Sequence, residues 1–347
     1  MSRASPLEVV ARFRASVVHE YRDGELIYSS RNRILRIRDL AAPAPELVAS
    51  VPWRGIQRLS AIRVVDRLLK HSILQVRKTR KGEYLAATGH AWWRIDRDGR
   101  PHVIAPFADT RPMNRGLCEA SDGTVYVAEY RSNPERGPIR IFRTRDLSRF
   151  EVAWEFAAGS IRHVHALIPD PEMKERIWVL TGDLDRESHI YYTDDSFRTL
   201  SSFLSDGQRS RATDLIVRDG WVYWGMDSPD TPAFVMRAPR HAPQDAEALT
   251  ALPGPAYYMG QNRKGGMYLG TTAEPGAAVR DRCARIIGVD RSGSWSPLIK
   301  SRSDSFPQFG IFYFPTGTLP RNFVVFSQRA LVPYEGHMTI AYDRRWE

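Results

Sequence analysis

The chain has 347 residues, 42% of them hydrophobic, 26% charged and 11% aromatic, with a mean hydropathy of −0.40 and a formal net charge of +10. No run approaches the roughly 18 consecutive apolar residues that a spanning helix needs. Arginines interrupt the N-terminal stretch where a secretory leader would carry its apolar core, so the sequence reads as a cytoplasmic protein without a transmembrane segment. The two cysteines, Cys118 and Cys283, lie far apart and without CxxC spacing, which excludes a disulfide framework and a cysteine-based zinc site. Both are expected to be small buried fillers.

Short alternating segments rich in Val, Ile, Tyr, Phe and Trp recur between turn signals, which is the pattern of strands. Residues 6–13, with LEVVARF, form the first of them. A helical pattern follows at residues 56–71, where Ala61, Ile62, Val65, Leu68 and Leu69 fall on one face and Arg58, Arg63, Arg67 and Lys70 on the others. Its expected place is against the body of the protein, with a membrane surface as the alternative for a basic amphipathic helix. The compact basic run Arg77-Lys78-Thr79-Arg80-Lys81 reads as a solvated loop. The remaining arginines are scattered, and their interleaving with aromatics is too diffuse for nucleic-acid binding.

From there the chain repeats. Strands ending near an aspartate and a polar turn occur at Asp39, Asp98, Asp146, Asp195, Asp290 and Asp343, with spacings of 59, 48, 49, 95 and 53 residues, the fourth being two periods. Residues 113–157 write one unit out in full as NRGLCEASDG, TVYVAEY, IRIFRTRD and FEVAWEF, four consecutive antiparallel strands A to D. Four-stranded units of about 40 to 50 residues are propeller blades. The units fall near residues 15–54, 72–108, 113–157, 161–206, 210–252, 255–300 and 308–345. The expectation is therefore a single all-β domain, a β-propeller of seven blades with six as the alternative, in which residues 6–13 supply the missing outer strand of the last blade and remove its open edge.

At the ends of strand C the segments Thr144-Arg145-Asp146-Leu147-Ser148-Arg149-Phe150, Thr193-Asp194-Asp195-Ser196-Phe197-Arg198-Thr199-Leu200 and Val289-Asp290-Arg291-Ser292-Gly293-Ser294-Trp295 resemble the Asp-box, or bacterial neuraminidase repeat. In that motif a Ser/Thr-x-Asp-x-Gly-x-x-Trp turn joins strands C and D. The chain thus resembles the sialidase-like propeller superfamily, which implies the same fold and either a glycosidase or a non-catalytic binding protein. The Phe/Tyr-Arg-Ile-Pro motif of the sialidase site is absent, so no catalytic residue carries over.

Topology then places a site. Loops from D to the next A and from B to C open on one face of a propeller, so the starts of strands A and the ends of strands B converge on one mouth. Those positions hold Asn114, Arg115, Glu129, Tyr130, Arg131, Arg162, His163, His165, Asp183, Asp185, Arg211, Asp214, Asp227, Ser228, Tyr257, Tyr258 and Glu274. Glu129, Asp183 and Asp227 close strand B in three successive blades and are candidates for the paired carboxylates of glycoside hydrolysis. His163 and His165, at strand spacing, could transfer protons or, with Asp183, bind a divalent metal. Arg115, Arg162 and Arg211, with Asn114, Arg131 and Tyr257, are candidate substrate-binding groups, the arginines gripping an anion unless they pair with the neighbouring carboxylates. Tyr258 is a candidate acid or nucleophile, with a core position as the alternative.

The expected function is cleavage of a glycosidic bond in an acidic oligo- or polysaccharide. A lyase acting on a uronate, or a glycan-binding scaffold propeller, is the alternative.

Overall fold

A computed structural model describes residues 6–53, 59–60, 62–69, 71–104, 113–304 and 309–347. Its sheets are seven blades, all antiparallel in the order A-B-C-D from the centre outward. Blade 1 comprises Val17–Arg22, Glu25–Ser30, Arg33–Ile37 and Glu46–Ser50. Blade 2 comprises Ile73–Lys78, Tyr84–Thr88, Trp92–Ile95 and Pro101–Ile104. Blade 3 comprises Leu117–Glu119, Val125–Ala128, Ile139–Thr144 and Glu151–Phe156. Blade 4 comprises His163–Pro169, Ile177–Gly182, His189–Thr193 and Ser201–Leu204. Blade 5 comprises Leu215–Arg218, Trp221–Gly225, Phe234–Pro239 and Glu247–Ala251. Blade 6 comprises Ala256–Asn262, Met267–Thr271, Cys283–Val289 and Trp295–Ser303.

Blade 7 closes the ring as the hydrophobic pattern requires. Its strands Ile311–Tyr313, Phe323–Arg329 and His337–Asp343 are completed by the N-terminal strand Leu7–Arg14, which pairs antiparallel from Leu7 opposite Asp343 to Arg14 opposite His337. Two short strands from the blade 7 loops, Thr318–Leu319 and Leu331–Val332, add to the inner and outer edges of blade 6 and staple the two blades together.

The apolar faces of neighbouring blades pack on one another all the way round. One cluster joins blades 6, 7 and 1 through Tyr268, Phe312, Phe326 and Val18, and another joins blades 4, 5 and 6 through Trp178, Trp224 and Leu269. Smaller clusters join blade 3 to 4 (Tyr126, Val179), blade 1 to 2 (Ile27, Ala86) and blade 2 to 3 (Leu85, Val127). Inner strands such as Val125–Ala128 and Ile177–Gly182 are buried at every position because both faces of a blade are covered, whereas outer strands such as Glu151–Phe156 are largely exposed or half-buried.

Four of the aspartates that set the sequence period, Asp39, Asp146, Asp195 and Asp290, anchor the turns between strands C and D, but in blade 2 the anchor is Asp96, whose Oδ1 accepts the N–H groups of Asp98 and Arg100, and not Asp98 as expected. Asp146 Oδ1 accepts the backbone N–H groups of Ser148 and Arg149 at 2.9 and 3.1 Å. Asp195 Oδ1 accepts that of Thr199 at 2.9 Å, and Asp290 Oδ1 those of Ser292 and Ser294 at 2.9 and 3.1 Å. Thr144 and Thr193 hydroxyls accept the N–H groups of Leu147 and Phe197, which carry positive φ and bury their side chains. These turns are Asx-type links whose carboxylates replace backbone acceptors.

Two expectations need correction. The helix is shorter than its pattern, Arg63–Leu69, and Ala61, Arg58 and Lys70 lie outside the described residues. Its anchor is a basic residue, since Ile62 and Leu68 are exposed while Arg67 is buried and ion-paired to Asp304 and Glu335 at 2.7 and 2.6 Å. The basic run at residues 77–81 is not wholly a solvated loop either. Arg77 and Lys78 end strand A of blade 2 and pair with Glu20 and Glu25 of blade 1 at 2.9 and 2.7 Å. Cys118 is buried as expected, with a thiol pushed up to about 12 by burial, whereas Cys283 is half-buried. Among the described residues no helix is long and apolar enough to cross a membrane.

Because Leu7–Arg14 is the outer strand of blade 7, deleting residues 1–14 should destabilise the protein by at least about 3 kcal/mol, the scale of a large-to-small core substitution. A synthetic peptide covering residues 6–14 should restore the lost stability in trans. Denaturant unfolding of the truncated chain with and without the peptide checks this, and an unchanged transition would contradict it.

Candidate functional site

Blades 3 to 6 surround a polar pocket of about 970 Å3 at the mouth where strands A begin and strands B end. Among the predicted residues it is lined by Arg162, His163, His165, Asp183, Arg211, Asp227 and Tyr257. Tyr130, Asp185, Ser228 and Glu274, which the topology also placed at the mouth, line it as well.

Strand A of blade 4 carries a β-bulge. His163 pairs with Gly182 and Val164 with Thr181, but Ala166 pairs with Leu180, so His165 is the extra residue. A bulge re-aims the side chain it releases. Here the His165 ring reaches the next blade, where its Nδ1 lies 3.0 Å from the carbonyl oxygen of Ala212. A carbonyl only accepts, so Nδ1 carries the proton and donates it, and Nε2 faces the pocket. That Nε2 is 3.0 Å from Nε2 of His163, and Tyr130 lies against the His163 ring with centroids 4.2 Å apart.

Asp183 follows strand B of the same blade and sits at the centre of the charge network. Its Oδ1 is 3.6 Å from His163 Nε2, 3.4 Å from His165 Nε2 and 3.3 Å from an Arg211 nitrogen, while Oδ2 is 2.9 Å from Arg162. Burial alone would raise this carboxyl, but the His163 and His165 imidazoles beside it hold it far below the usual carboxylate range. His163 is lowered, chiefly by burial, with Asp183 opposing.

Arg211 spans to a second carboxyl, its Nε 3.4 Å from Asp227 Oδ2. Asp227 is buried, and burial pushes it up to about 7 against the pull of Arg211, with Glu274 and Asp183 adding repulsion. Glu274 is raised by burial too, although the Tyr257 hydroxyl donates to its Oε2 at 3.0 Å. Tyr130 is raised to about 12, mainly by burial and then by Asp183 and Asp227. One guanidinium therefore separates a carboxylate held ionised from a carboxyl that keeps its proton up to about pH 7. Carboxyls driven apart in this way are the arrangement that acid–base catalysis uses.

The other predicted residues lie elsewhere. Glu129 is buried, but its Oε2 accepts the backbone N–H of Arg140 at 2.7 Å, completing the ladder where strand C of blade 3 begins, and it does not line the pocket. Arg131 donates to the Pro138 carbonyl at 2.8 Å. Asn114 accepts from Arg115 at 2.8 Å. Arg115 itself crosses the channel to Asp214 at 2.7 Å, with further bonds to the carbonyl oxygens of Met259 and Phe314 at 3.1 and 3.0 Å. Tyr258 is buried core, stacked on Tyr313 at 5.1 Å. The anion-gripping cluster expected of Arg115, Arg162 and Arg211 is thus resolved into ion pairs, the alternative the sequence left open. In the pocket three guanidiniums (Arg162, Arg186, Arg211) face five carboxyls (Asp183, Asp185, Asp227, Asp230, Glu274). Asp230, Gln208, Thr213 and Thr231 were not foreseen, because they come from loops with no periodic signal.

No family model matches the sequence, and no curated protein matches it. Among solved structures the chain is similar to the WD40 β-propeller domain of Doa1, with 10% identity, 98% of this chain and 99% of that one covered, and a TM-score of 0.57. It is also similar to the GH74 xyloglucanase from Xanthomonas campestris, with 13% identity, coverage of 84% and 46%, and a TM-score of 0.55. A prolyl endopeptidase structure matches with 12% identity, coverage of 92% and 47%, and a TM-score of 0.57. At these identities the likeness is one of fold.

The raised Asp227 carboxyl gives a signed pH effect. The folded state keeps this proton up to about pH 7, whereas the unfolded chain loses it near 3.8. The folded state thus binds the extra proton between those values, and stability attributable to Asp227 falls as pH rises through that window. Asp227→Asn should be more stable than the wild type at about pH 8, with the gap closing toward about pH 4. Denaturant melts across that range check it, and a gap independent of pH would contradict it.

Proposed function

We propose that the protein is a glycoside hydrolase whose pocket at the mouth of blades 3 to 6 cleaves a glycosidic bond. The observation that supports this reading is the pairing across Arg211 of Asp227, protonated to about pH 7, with the ionised Asp183. Asp227 is the general acid and delivers its proton to the departing glycosidic oxygen. Asp183 supplies negative charge opposite the oxocarbenium-like centre that develops as the bond breaks. Glu274, oriented by the Tyr257 hydroxyl and made more basic by burial, takes the proton from the attacking water.

The open, polar pocket with Tyr130 and Tyr257 in its wall suits a sugar, which presents hydroxyls at its edge and an apolar face to an aromatic ring. With Arg162 and Arg211 already bound to Asp183 and Asp227, a neutral saccharide fits better than the acidic one expected from the arginine cluster. The Asp-anchored turns at Asp146, Asp195 and Asp290 are in keeping with the resemblance to the Asp-box propellers.

Mass spectrometry of products from a panel of neutral and acidic oligosaccharides tests the reading. A water-added fragment from a neutral substrate is expected, with turnover falling as pH rises through about 7 and lost by at least about 100-fold in Asp227→Asn. An unsaturated fragment from a uronate would point instead to a lyase. Saturable binding of an intact glycan would point to a recognition propeller.

A further inference from the structure

Beside its ion pairs, the pocket brings two imidazoles and a carboxylate together. His163 Nε2 and His165 Nε2 lie 3.0 Å apart, and Asp183 Oδ1 lies 3.6 and 3.4 Å from them, so three donor atoms point at one another. One proton shared between the two rings makes a hydrogen bond along a single edge of that triangle and leaves the carboxylate oxygen beyond good hydrogen-bond distance of both. A first-row divalent ion bound at about 2.0–2.2 Å to each atom sets donor-to-donor edges of about 2.9–3.5 Å in tetrahedral or octahedral geometry. The three atoms fall within 4.8 Å of one another, close to such a set.

The surroundings fit an ion as well. His165 donates Nδ1–H to the Ala212 carbonyl, which fixes the tautomer that leaves Nε2 as a ligand, the outer bond that metal-binding histidines make. Arg162 occupies Asp183 Oδ2 at 2.9 Å, leaving Oδ1 to face the imidazoles, with an Arg211 nitrogen 3.3 Å from it. All three residues line the pocket, from which a water or substrate oxygen can take the fourth coordination position.

We propose that His163 Nε2, His165 Nε2 and Asp183 Oδ1 form a binding site for one first-row transition-metal dication, open toward the pocket. The site stands whether or not the pocket cleaves glycosides. An ion here would be a Lewis acid for a substrate oxygen and would offset the Asp183 charge that the proposed cleavage uses, so the two readings describe the metal-loaded and the metal-free pocket; Asp227 and Glu274 remain beyond its ligand set.

The test uses the full chain stripped with a chelator and titrated with ZnCl2 by calorimetry. Saturable binding of one Zn2+ per chain is expected, together with shifts of the His163 and His165 ring nitrogens in NMR spectra of the wild type. His163→Ala and Asp183→Asn should each weaken binding by at least about 100-fold. His71→Ala should leave it unchanged, since that ring pairs with Ser60 and lies against His90, remote from the pocket lining. If either pocket variant fails to fold, the wild-type ring-nitrogen shifts decide alone. Absence of saturable binding, unshifted His163 and His165 nitrogens, or undiminished binding in a folded His163→Ala would overturn the proposal.

Discussion

The middle of the channel is held by one guanidinium. Arg115, at the entrance to blade 3, reaches Asp214 at the entrance to blade 5, whose carboxylate also accepts the Met259 N–H of blade 6 at 2.9 Å, and Arg115 donates to carbonyl oxygens of blades 6 and 7. Both ions are almost wholly buried, and removing one partner of such a pair leaves an uncompensated charge worth about 3–5 kcal/mol. Burial raises the Asp214 carboxyl, and Arg115 together with two backbone N–H groups opposes the rise. This crosslink divides the channel. Met113 and Thr213, the neighbours on the near side, line the mouth pocket, while Arg115 and Asp214 line a second cavity of about 280 Å3 toward the turns between strands A and B.

The two cavities use charge in different ways. In the second, the cations are matched one to one, Arg77 with Glu20 at 2.9 Å, Arg22 with Glu119 at 2.6 Å and Arg115 with Asp214. Such pairing neutralises a channel wall and ties blades 1, 2, 3 and 5 together. In the mouth pocket Asp183 holds two arginines and two histidines, while Asp227 keeps one oxygen without a partner. Buried polar groups left unsatisfied by the fold are where chemistry is expected.

The fold was legible because its signals are local. Alternating apolar residues mark strands, and the aspartates after strand C bind their own turns, so their spacing gives the blade period; blade 5 lacks one, since Arg240 and His241 follow its strand C, and the spacing doubles there. The closing strand was legible from the missing edge of blade 7. The site was legible where topology alone decides, as at Asp183, Asp227, Arg162 and Arg211. It was not legible where a side chain's direction depends on tertiary pairing. Glu129 completes a ladder, Tyr258 follows a register shift between Ala256 and Met259 into the core, and the bulge at His165 cannot be read from a sequence pattern of period two. The helix was overdrawn because an apolar stripe outweighed Arg67, whose two ion pairs do the anchoring.

The ring concentrates charge at one mouth so that, below about pH 7, Asp227 keeps its proton while the neighbouring Asp183 is ionised. Infrared difference spectroscopy of the wild type against Asp227→Asn reads this directly through the carbonyl stretch of a protonated carboxyl. The band should be present at about pH 5, disappear with a midpoint near 7 and be missing from the variant. A wild-type spectrum with no protonated carboxyl above about pH 5 would contradict it.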